Sequence, residues 1–386
     1  MKCEEPPMGT DGQRETMTAA NRLGLDYVAE ARRLGVPAGA SGRGIIDSHA
    51  HINGARAAEL YKEVCDLYGV TRTYSQTQLA QADRIKGILG ERVRFVAIPE
   101  YMATDKSRAF REGFYEGLDE WWAKGARMVK FWTAPRFLDF AEEFSGGDAS
   151  DLWPADAPWR MKIAEKAVGL GMMLMIHVAD PDTWFGAKYA DSKRYGTKGD
   201  QWAAMGRFLD AFDVPCLGAH MGGWPEDLGR LTEILDRHPK LVLDTSATKW
   251  MVRELSTHRR DELVGFLERF KGRILFGSDI VTHDDHLEAS DPDNPKFGNQ
   301  LANSRAEAFE LYASRYWAQR TMWETDYDGE SNIADPDLMM VEPEKFSELD
   351  APRLVGRALP SEMLGVLYRG AAAKTLDAWY ERGEWG

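Results

Sequence analysis

Short apolar runs alternate with amphipathic helical patterns along most of the chain. We predict eight of these runs to be strands, near residues 44–52, 70–76, 93–98, 126–132, 172–177, 215–220, 241–245 and 273–279. Between consecutive runs, apolar residues recur at spacings of three and four, which is typical of helices. Strands that alternate with helices indicate parallel β/α units. Because eight such units make a closed barrel, the pattern predicts an α/β fold of the (β/α)8 TIM-barrel type.

The alternation changes at both ends of the chain. Residues 13–34 have helical spacing and are predicted to form a lead-in helix, so we divide the chain into residues 1–43 and a barrel of residues 44–386. Residues 283–356 contain polar stretches rich in proline, aspartate and asparagine on either side of a predicted helix. We interpret this segment as an insertion after strand 8, because the pattern at residues 362–380 resumes as a closing helix.

Composition narrows the classes of function. The 386 residues include 62 acidic and 48 basic side chains, and a net charge of −14 disfavours general binding to nucleic acid or anionic membranes. The sequence starts without a basic stretch followed by an apolar core, and no apolar run approaches the ~20 residues of a membrane span. Three cysteines, Cys3, Cys65 and Cys216, fit no zinc-binding spacing. We expect a cytoplasmic protein that acts on a small molecule, with a homo-oligomer as one possible assembly.

The first predicted strand ends in two histidines separated by one residue. Side chains alternate along a strand, so His49 and His51 should project to one face, with Asp47 one step deeper on that face. Two imidazoles in this arrangement can share a metal ion. Two ordinary polar residues at a strand end would give the same short pattern. Residues at the ends of the other strands are therefore needed to distinguish a metal site from this alternative.

Three more polar residues end predicted strands. His177 ends strand 5, His220 ends strand 6 and Asp279 ends strand 8. In a barrel of this kind the carboxyl ends of the strands meet at one rim, which is where active sites are built. Imidazole nitrogens and carboxylate oxygens suit zinc and related divalent ions, and three or four of them leave a position for water. Such an ion lowers the pKa of its water to ~7, and a neighbouring carboxylate can accept the proton.

Five short motifs resemble those of a known enzyme superfamily. They are Asp47-Ser-His-Ala-His51, Met175-Ile-His177, Ala219-His-Met-Gly-Gly223, Asp244-Thr-Ser246 and Phe276-Gly-Ser-Asp279. In order and spacing they are similar to motifs of the amidohydrolase superfamily, within its amidohydrolase-related branch. That branch includes aminocarboxymuconate-semialdehyde decarboxylase and related decarboxylases, lactonases and hydratases. The resemblance covers about residues 44–280 and supports the barrel prediction.

The resemblance implies roles for individual residues. It implies one divalent metal ion, zinc in the first place and manganese as an alternative, held by His49, His51, His177 and Asp279. It further implies that His220 lies beside the metal-bound water or the substrate and orients it or exchanges protons with it. Asp279 would act both as a ligand and as the proton acceptor, so His220 and Asp279 are the predicted catalytic residues.

Lys130, near the end of strand 4, and several tryptophans that follow strands each have more than one interpretation. In binuclear members of the superfamily a carboxylated lysine on strand 4 bridges two metals; an unmodified Lys130 can instead contact a substrate carboxylate or be purely structural. Trp132, Trp184, Trp224 and Trp250 either wall the pocket and stack on a planar substrate or pack between loops. Lys130 and Trp132 are our candidate substrate-binding residues.

Two polar groups near the rim are also open. Asp244 and Ser246 either line the pocket or hydrogen-bond inside the protein. The cluster from His283 to His286 either reaches the rim or forms a polar loop.

Three functions fit this chemistry. The leading prediction is a metal-dependent hydrolase that acts on a small lactone, amide or ester through a metal-activated water. The alternative is a metal-dependent non-oxidative decarboxylase of a small aromatic or unsaturated acid, which would use the same ligands. The third is a barrel that binds a metal or ligand without turnover, although two proton-transfer groups exceed what binding requires. A cationic side chain that grips a substrate carboxylate would favour the decarboxylase.

Overall fold

The computed structural model describes residues 18–37, 39, 43–144, 148–289 and 302–382. Its centre is formed by parallel strands whose positions agree with the predicted apolar runs. These strands are β1 (Ile45–Ile52), β2 (Val70–Ser75), β3 (Val93–Phe95), β4 (Met128–Trp132), β5 (Met173–His177), β6 (Cys216–Gly218), β7 (Leu241–Asp244), β8 (Ile274–Leu275) and β9 (Ile280–Thr282). The last two are parts of the eighth predicted strand, which is interrupted near Asp279.

Hydrogen bonds close these strands into a barrel. The strand order is β3-β2-β1-β9 in one part and β4-β5-β6-β7-β8 in the other. A parallel bridge between Ala97 and Val129 joins the end of β3 to β4. At the second seam, between β8 and β9, β1 bonds to the segment that joins these two strands: the backbone N–H of Ser48 donates to the carbonyl of Phe276 at 2.9 Å, and that of Asp279 donates to the carbonyl of His49 at 2.8 Å. The predicted (β/α)8 barrel is therefore confirmed.

Helices connect the strands and cover the outside of the barrel. The helices are α1 (Tyr27–Leu34), α2 (Ala55–Tyr68), α3 (Ala82–Leu89), α4 (Lys106–Ala109), α5 (Glu112–Ala123), α6 (Arg136–Ala141), α7 (Pro158–Gly169), α8 (Asp182–Gly186), α9 (Ser192–Tyr195), α10 (Lys198–Ala211), α11 (Leu228–Arg237), α12 (Thr248–Leu255), α13 (Arg260–Arg269), α14 (Arg305–Glu324), α15 (Asp337–Val341), α16 (Ser361–Gly365) and α17 (Ala378–Arg382). In the described part of the chain, no helix combines the length and the hydropathy needed to cross a bilayer.

The barrel interior is apolar below its polar mouth. Met175 and Leu217 are among its fully buried side chains, and Leu376 of the C-terminal helical segment packs into the same cluster. The indole N–H of Trp379 donates to the carbonyl of Gly171, just before β5, at 3.0 Å. The C-terminal segment therefore closes the N-terminal end of the barrel, which leaves the opposite end for chemistry.

The lead-in helix is shorter than predicted. Helix α1 begins at Tyr27 because the Asp26 carboxylate caps it, accepting the N–H groups of Val28 and Ala29 at 2.9 and 3.1 Å. Residues 18–26 form turns instead, and residues 13–17 of the predicted helix lie outside the described residues. The division of the chain at residue 43 stays a prediction.

Short helices lie in two of the loops, and the helical region after β7 is divided into two helices. The sequence pattern over residues 249–270 is helical throughout, but the structure has two helices there, α12 and α13, because the backbone at Arg259 is extended. The loops after β4 and β5 contain the short helices α6, α8 and α9.

The segment inserted after the eighth strand packs along the barrel. Its long helix α14 lies against α2, where the hydroxyl groups of Tyr61 and Tyr316 are 2.8 Å apart. Beyond α14, β10 (Asp328–Glu330) and β11 (Arg353–Val355) form an antiparallel pair with α15 between them. This segment thus lies beside the barrel mouth, where it can contribute side chains.

Candidate metal centre and active site

The five side chains predicted at the rim lie at the C-terminal mouth of the barrel. His49 and His51 are near the end of β1, His177 ends β5, His220 begins the tight turn after β6, and Asp279 lies between β8 and β9. The φ angles of His220 and Asp279 are 57° and 59°, which residues other than glycine seldom adopt. Such strain persists where the surrounding structure fixes the direction of a side chain, and it is concentrated at functional sites.

His49, His51 and Asp279 form a compact group. Oδ1 of Asp279 lies 3.1 Å from Nε2 of His51 and 3.3 Å from Nε2 of His49. One possible ligand atom from each of the three lies within 4.8 Å of the other two. Two imidazole nitrogens and one carboxylate oxygen are a ligand set that suits zinc and similar divalent ions.

The two ring nitrogens of His49 have different surroundings. Nδ1 lies 2.9 Å from the Asp244 carboxylate and 2.9 Å from the Ser246 hydroxyl. Nε2 is buried and has no hydrogen-bond partner among the described residues. Histidines that bind a metal through one nitrogen usually donate the other N–H to a carboxylate or carbonyl. The bare Nε2, with Asp244 on Nδ1, therefore fits a metal ligand.

Burial sets the charges at the mouth. Burial, assisted by the positive charge of Lys130, lowers the pKa of His49 to about 4. Burial also lowers the pKa of His220 well below its usual range, and His177 adds to this effect. For Asp279, burial acts to raise the pKa, but His49, His220 and other neighbours hold it well below its usual range. Neutral imidazoles beside an ionised carboxylate are the protonation states that metal binding requires.

Asp244 and Ser246, which both contact His49, also hold His220 in position. The backbone N–H of His220 donates to Asp244 at 2.8 Å, and the Ser246 hydroxyl lies 2.8 Å from Nδ1 of His220. Asp244 and Ser246 are both fully buried. These contacts favour the internal hydrogen-bonding role over the pocket-lining role for the two residues. Since Nδ1 of His220 is engaged, Nε2 is the nitrogen left for water or substrate.

His177 lies beside this group but outside it. Its ring centroid is 4.4 Å from that of His220, yet among the described residues no nitrogen of His177 belongs to a cluster of three possible ligand atoms. Nε2 of His177 lies 2.7 Å from Asp180, whose other oxygen accepts the Tyr189 hydroxyl at 2.5 Å. Asp180 thus leaves Nδ1 of His177 for a further ligand. Sequence reasoning missed Asp180, although a carboxylate three residues after a strand-end histidine was a usable signal.

Lys130 is a buried cation. Its side chain on β4 is 4% exposed, and its ammonium group has no hydrogen bond or ion pair to any described residue. Burial lowers the pKa of Lys130 to about 8, whereas Asp244 and Asp279 act to raise it. A buried ammonium group that makes no ion pair can bind an anionic group of a ligand.

Trp132 has a different environment from Lys130. Its ring packs against Tyr101, Phe137 and Phe140, at centroid distances of 6.4, 5.8 and 5.6 Å. These contacts favour packing between loops over a role of Trp132 in the wall of the pocket.

Asp47 does not share the face of the two histidines, and that prediction is wrong. The pairing of β1 with β2 is irregular between Asp47 and Ala50, so strict alternation fails there. The Asp47 carboxylate instead accepts the hydroxyl groups of Tyr316 at 2.8 Å and Ser278 at 2.6 Å, and the N–H of His49 at 3.1 Å. It therefore ties β1 to the segment after β8 and to α14.

The polar cluster after β9 is engaged in packing. Asp284 accepts the N–H of Ala57 at 2.9 Å, and Nδ1 of His286 lies 3.0 Å from the Tyr312 hydroxyl. Nδ1 of His283 lies 3.3 Å from Oδ2 of Asp285. These contacts match the polar-loop interpretation.

Neither the patterns of known protein families nor the sequences of curated proteins match this chain. Among solved structures, a 5-carboxyvanillate decarboxylase from Novosphingobium aromaticivorans, complexed with manganese and 4-hydroxy-3-methoxy-5-nitrobenzoic acid, is 10% identical with a TM-score of 0.42, over 90% of this chain and 98% of that one. A 2,6-dihydroxybenzoate decarboxylase from Rhizobium is 13% identical with a TM-score of 0.37, over 70% and 98%. An amidohydrolase from Burkholderia multivorans is 16% identical with a TM-score of 0.37, over 85% and 97%. Scores and identities this low establish neither the reaction nor the metal of this chain.

Proposed function

We propose that the protein is a metal-dependent hydrolase that acts on the carbonyl group of a small lactone, amide or ester. One divalent ion, zinc in the first place and manganese as the alternative, would be held by His49, His51, His177 and Asp279. The observation that carries the proposal is the buried, unpartnered Nε2 of His49, 3.3 Å from Asp279, with a carboxylate on the other ring nitrogen. Most buried polar atoms have a hydrogen-bond partner, so an imidazole nitrogen without one, next to a carboxylate oxygen and to the ring of His51, suits a metal ion.

The chain's own residues would handle the protons. When bound, such an ion polarises a carbonyl and lowers the pKa of a bound water to ~7. Burial acts to raise the pKa of Asp279, but the surrounding imidazoles, including the His51 ring that bonds to it, keep this pKa well below its usual range, so the carboxylate is ionised and can accept a proton from water. His220 is neutral because burial lowers its pKa, so it can orient the substrate, or accept a proton released in the reaction and then return that proton to the leaving group. Ser246, 2.8 Å from Nδ1, keeps the His220 ring in this orientation.

Lys130 favours a second candidate, the non-oxidative decarboxylation of a small aromatic or unsaturated acid. Its buried ammonium group, which makes no ion pair with a described residue, suits a substrate carboxylate. In that reaction the bond between the ring carbon and the carboxylate breaks, CO2 leaves, and a proton replaces it on the carbon. The same mouth residues would supply this proton, so the two candidates share one site and differ in the substrate.

Metal removal and a substrate panel separate the candidates. The protein is stripped with a chelator, restored with zinc or manganese, and assayed with lactones, amides, esters and aromatic acids. Hydrolysis that appears only with the metal supports the first candidate, and release of CO2 from an aromatic acid supports the second. Tight metal binding without turnover of any compound would identify a binding protein, and failure to bind either metal would refute the proposed site.

We also propose a cytoplasmic setting and a small-molecule partner. Cys65 and Cys216 are both buried and free, a state that a reducing compartment preserves. The net charge of −14 disfavours nucleic acid and anionic lipid as partners. Self-association into a homo-oligomer is a further prediction, which analytical ultracentrifugation tests directly.

A further inference from the structure

One carboxylate of the inserted segment binds two tryptophans beside the candidate metal centre. Asp337, at the start of α15, accepts the indole N–H of Trp184 at 2.7 Å and that of Trp250 at 2.8 Å, both on Oδ2. Nη1 of Arg253 lies 3.2 Å from the same oxygen. Asp337 is only 8% exposed, so water competes little for these bonds. The contact joins the inserted segment to the loops that follow β5 and β7.

Trp250 extends this contact to the histidines of the mouth. Its ring lies edge-on to that of His220, with centroids 5.6 Å apart and an angle of 87°, and 6.2 Å from the ring of His177. The Trp184 ring packs 5.9 Å from Trp250 and 5.5 Å from Tyr189. Trp250 is the less buried of the two indoles, so part of its surface is accessible to a ligand.

A second path of contacts leads from Trp184 back to His177. Tyr189, which packs on Trp184, donates to Asp180, and Asp180 is bonded to Nε2 of His177. The contacts form a closed loop through His177, Asp180, Tyr189, Trp184, Asp337 and Trp250. Displacement of Asp337 would open this loop at the point where the inserted segment joins it.

We propose that Asp337 is a positioning residue that holds Trp250 as an aromatic wall over His177 and His220, and that this wall selects substrates with a planar apolar group next to the reacting carbonyl. The substrate class rests on the proposed function, whereas the position of Trp250 over His177 and His220 does not depend on that function. A planar group packed on an indole binds about 3- to 10-fold more tightly than its buried area alone would give. This gain requires a fixed ring, and the buried carboxylate on the indole N–H supplies the restraint.

The alternative is that Asp337 serves only as a partner of Arg253. Asp335 provides the control, because it is fully buried, lies on the same segment and pairs with the same Nη1 of Arg253. Its Oδ1 also accepts the backbone N–H of Asp337 at 3.2 Å, and Asp335→Asn keeps an oxygen that can accept this bond. Among the described residues Asp335 has no contact with an indole N–H. A purely structural role predicts similar effects for changes at the two aspartates, whereas the positioning role predicts effects specific to Asp337.

The first test observes the indoles directly. Indole N–H signals of 15N-tryptophan-labelled protein are assigned with Trp184→Phe and Trp250→Phe. We expect Asp337→Ala to shift both signals, Asp337→Asn to keep them close to wild type because its amide oxygen still accepts, and Asp335→Asn to leave them unchanged. Unshifted signals in Asp337→Ala, or equal shifts in Asp335→Asn, would overturn the positioning role.

The second test measures selectivity without turnover. Calorimetry compares benzoate, which is planar, with cyclohexanecarboxylate, which has the same ring size but is not planar. We expect the metal-supplemented wild type to bind benzoate about 3- to 10-fold more tightly. Trp250→Ala and Asp337→Ala should lose this preference, while Asp335→Asn keeps it. Equal affinities in the wild type, or no binding of either acid, would overturn the selectivity.

Metal content measured on the same samples separates this inference from the proposed function. A benzoate preference in protein that retains no metal would refute the proposed metal site and leave the aromatic wall standing. Bound metal without any preference would refute the wall and leave the metal site standing.

Discussion

Three histidines at the barrel mouth, His49, His177 and His220, are each held in place by a second polar side chain. Asp244 bonds to Nδ1 of His49 at 2.9 Å, and Asp180 lies 2.7 Å from Nε2 of His177. For His220 the Ser246 hydroxyl takes this role at 2.8 Å. The carboxylates of Asp244 and Asp180 accept, so they fix both the tautomer and the direction of their rings, whereas Ser246, which can donate or accept, fixes only the direction of the His220 ring.

The roles proposed for His177 and His220 predict different outcomes when each is removed. His177→Ala should lose bound metal because a proposed ligand is gone, whereas His220→Ala should retain most of the metal and lose activity because proton handling is gone. Elemental analysis of the two purified variants, with His238→Ala as a control outside the mouth, checks this. Equal metal loss in both mouth variants would make His220 a ligand, and full retention in His177→Ala would remove His177 from the site.

The contact between Asp244 and His49 predicts a loss of affinity without loss of a ligand. Asp244→Asn keeps the size of the side chain but removes the charge that orients Nδ1 of His49. Partners of this kind are worth about 10- to 100-fold in metal affinity. Competition with a fluorescent chelator measures the change, and Asp83→Asn on the exposed surface serves as control. An affinity equal to that of the wild type would show that Asp244 does not orient the ligand.

The anion-binding role of Lys130 predicts a dependence on substrate charge. Lys130→Gln removes a buried ammonium, and a hydrogen bond to a charged group contributes about 1.5–3 kcal/mol. KM for carboxylate-bearing substrates should therefore rise by about 10- to 100-fold, while KM for neutral esters changes little. Lys240→Gln, at an exposed position, is the control. Equal effects on both substrate types would exclude a specific contact with an anion.

At the scale of elements, the turn after β6 brings His220 next to His177. Gly223 has a φ of 74°, and a Cβ atom there would lie 2.2 Å from the carbonyl oxygen of Ala179, in the loop after β5. Only a glycine lets these two loops approach so closely. The distance of 4.4 Å between the two imidazole rings depends on this approach.

This close approach predicts a large effect of one methyl group. Gly223→Ala should lower the free energy of unfolding by more than about 1 kcal/mol and reduce activity, because the turn has to move away from the β5 loop. Gly265→Ala is the matched control: a Cβ atom at this position in α13 meets nothing within 4 Å, so it should be neutral or stabilising by up to ~1 kcal/mol. Urea unfolding of both variants measures the difference. A Gly223→Ala variant as stable as the wild type would contradict this account.

The sequence predicts the strands and the polar residues that end them, but it does not predict the contacts of Asp47 and Asp337. The apolar runs predict the strands because parallel strands are buried on both faces, and the polar residues that end them mark the mouth. Asp47 is misplaced by strict alternation because an irregularity in the β1–β2 pairing is set by neighbouring strands. Asp337 could not be predicted from sequence, because its contact with Trp250 depends on how the inserted segment packs over the mouth.

At the scale of the whole molecule, the candidate centre depends on barrel closure. His49 and Asp279 are far apart in the chain and meet because β9 pairs with β1 and the Asp279 N–H donates to the His49 carbonyl. A metal that binds only this closed arrangement stabilises the folded barrel by mass action, by about 2.7 kcal/mol at a free concentration of 100 times Kd.

The central claim is that one divalent ion binds at this mouth, and anomalous diffraction at the zinc edge from zinc-soaked crystals tests it most directly. The account predicts one strong anomalous peak per chain, within coordination distance of Nε2 of His49, Nε2 of His51 and a carboxylate oxygen of Asp279, with His177 contributing Nδ1. A mouth without an anomalous peak, or a peak held only by residues such as His283 and His286, would contradict it.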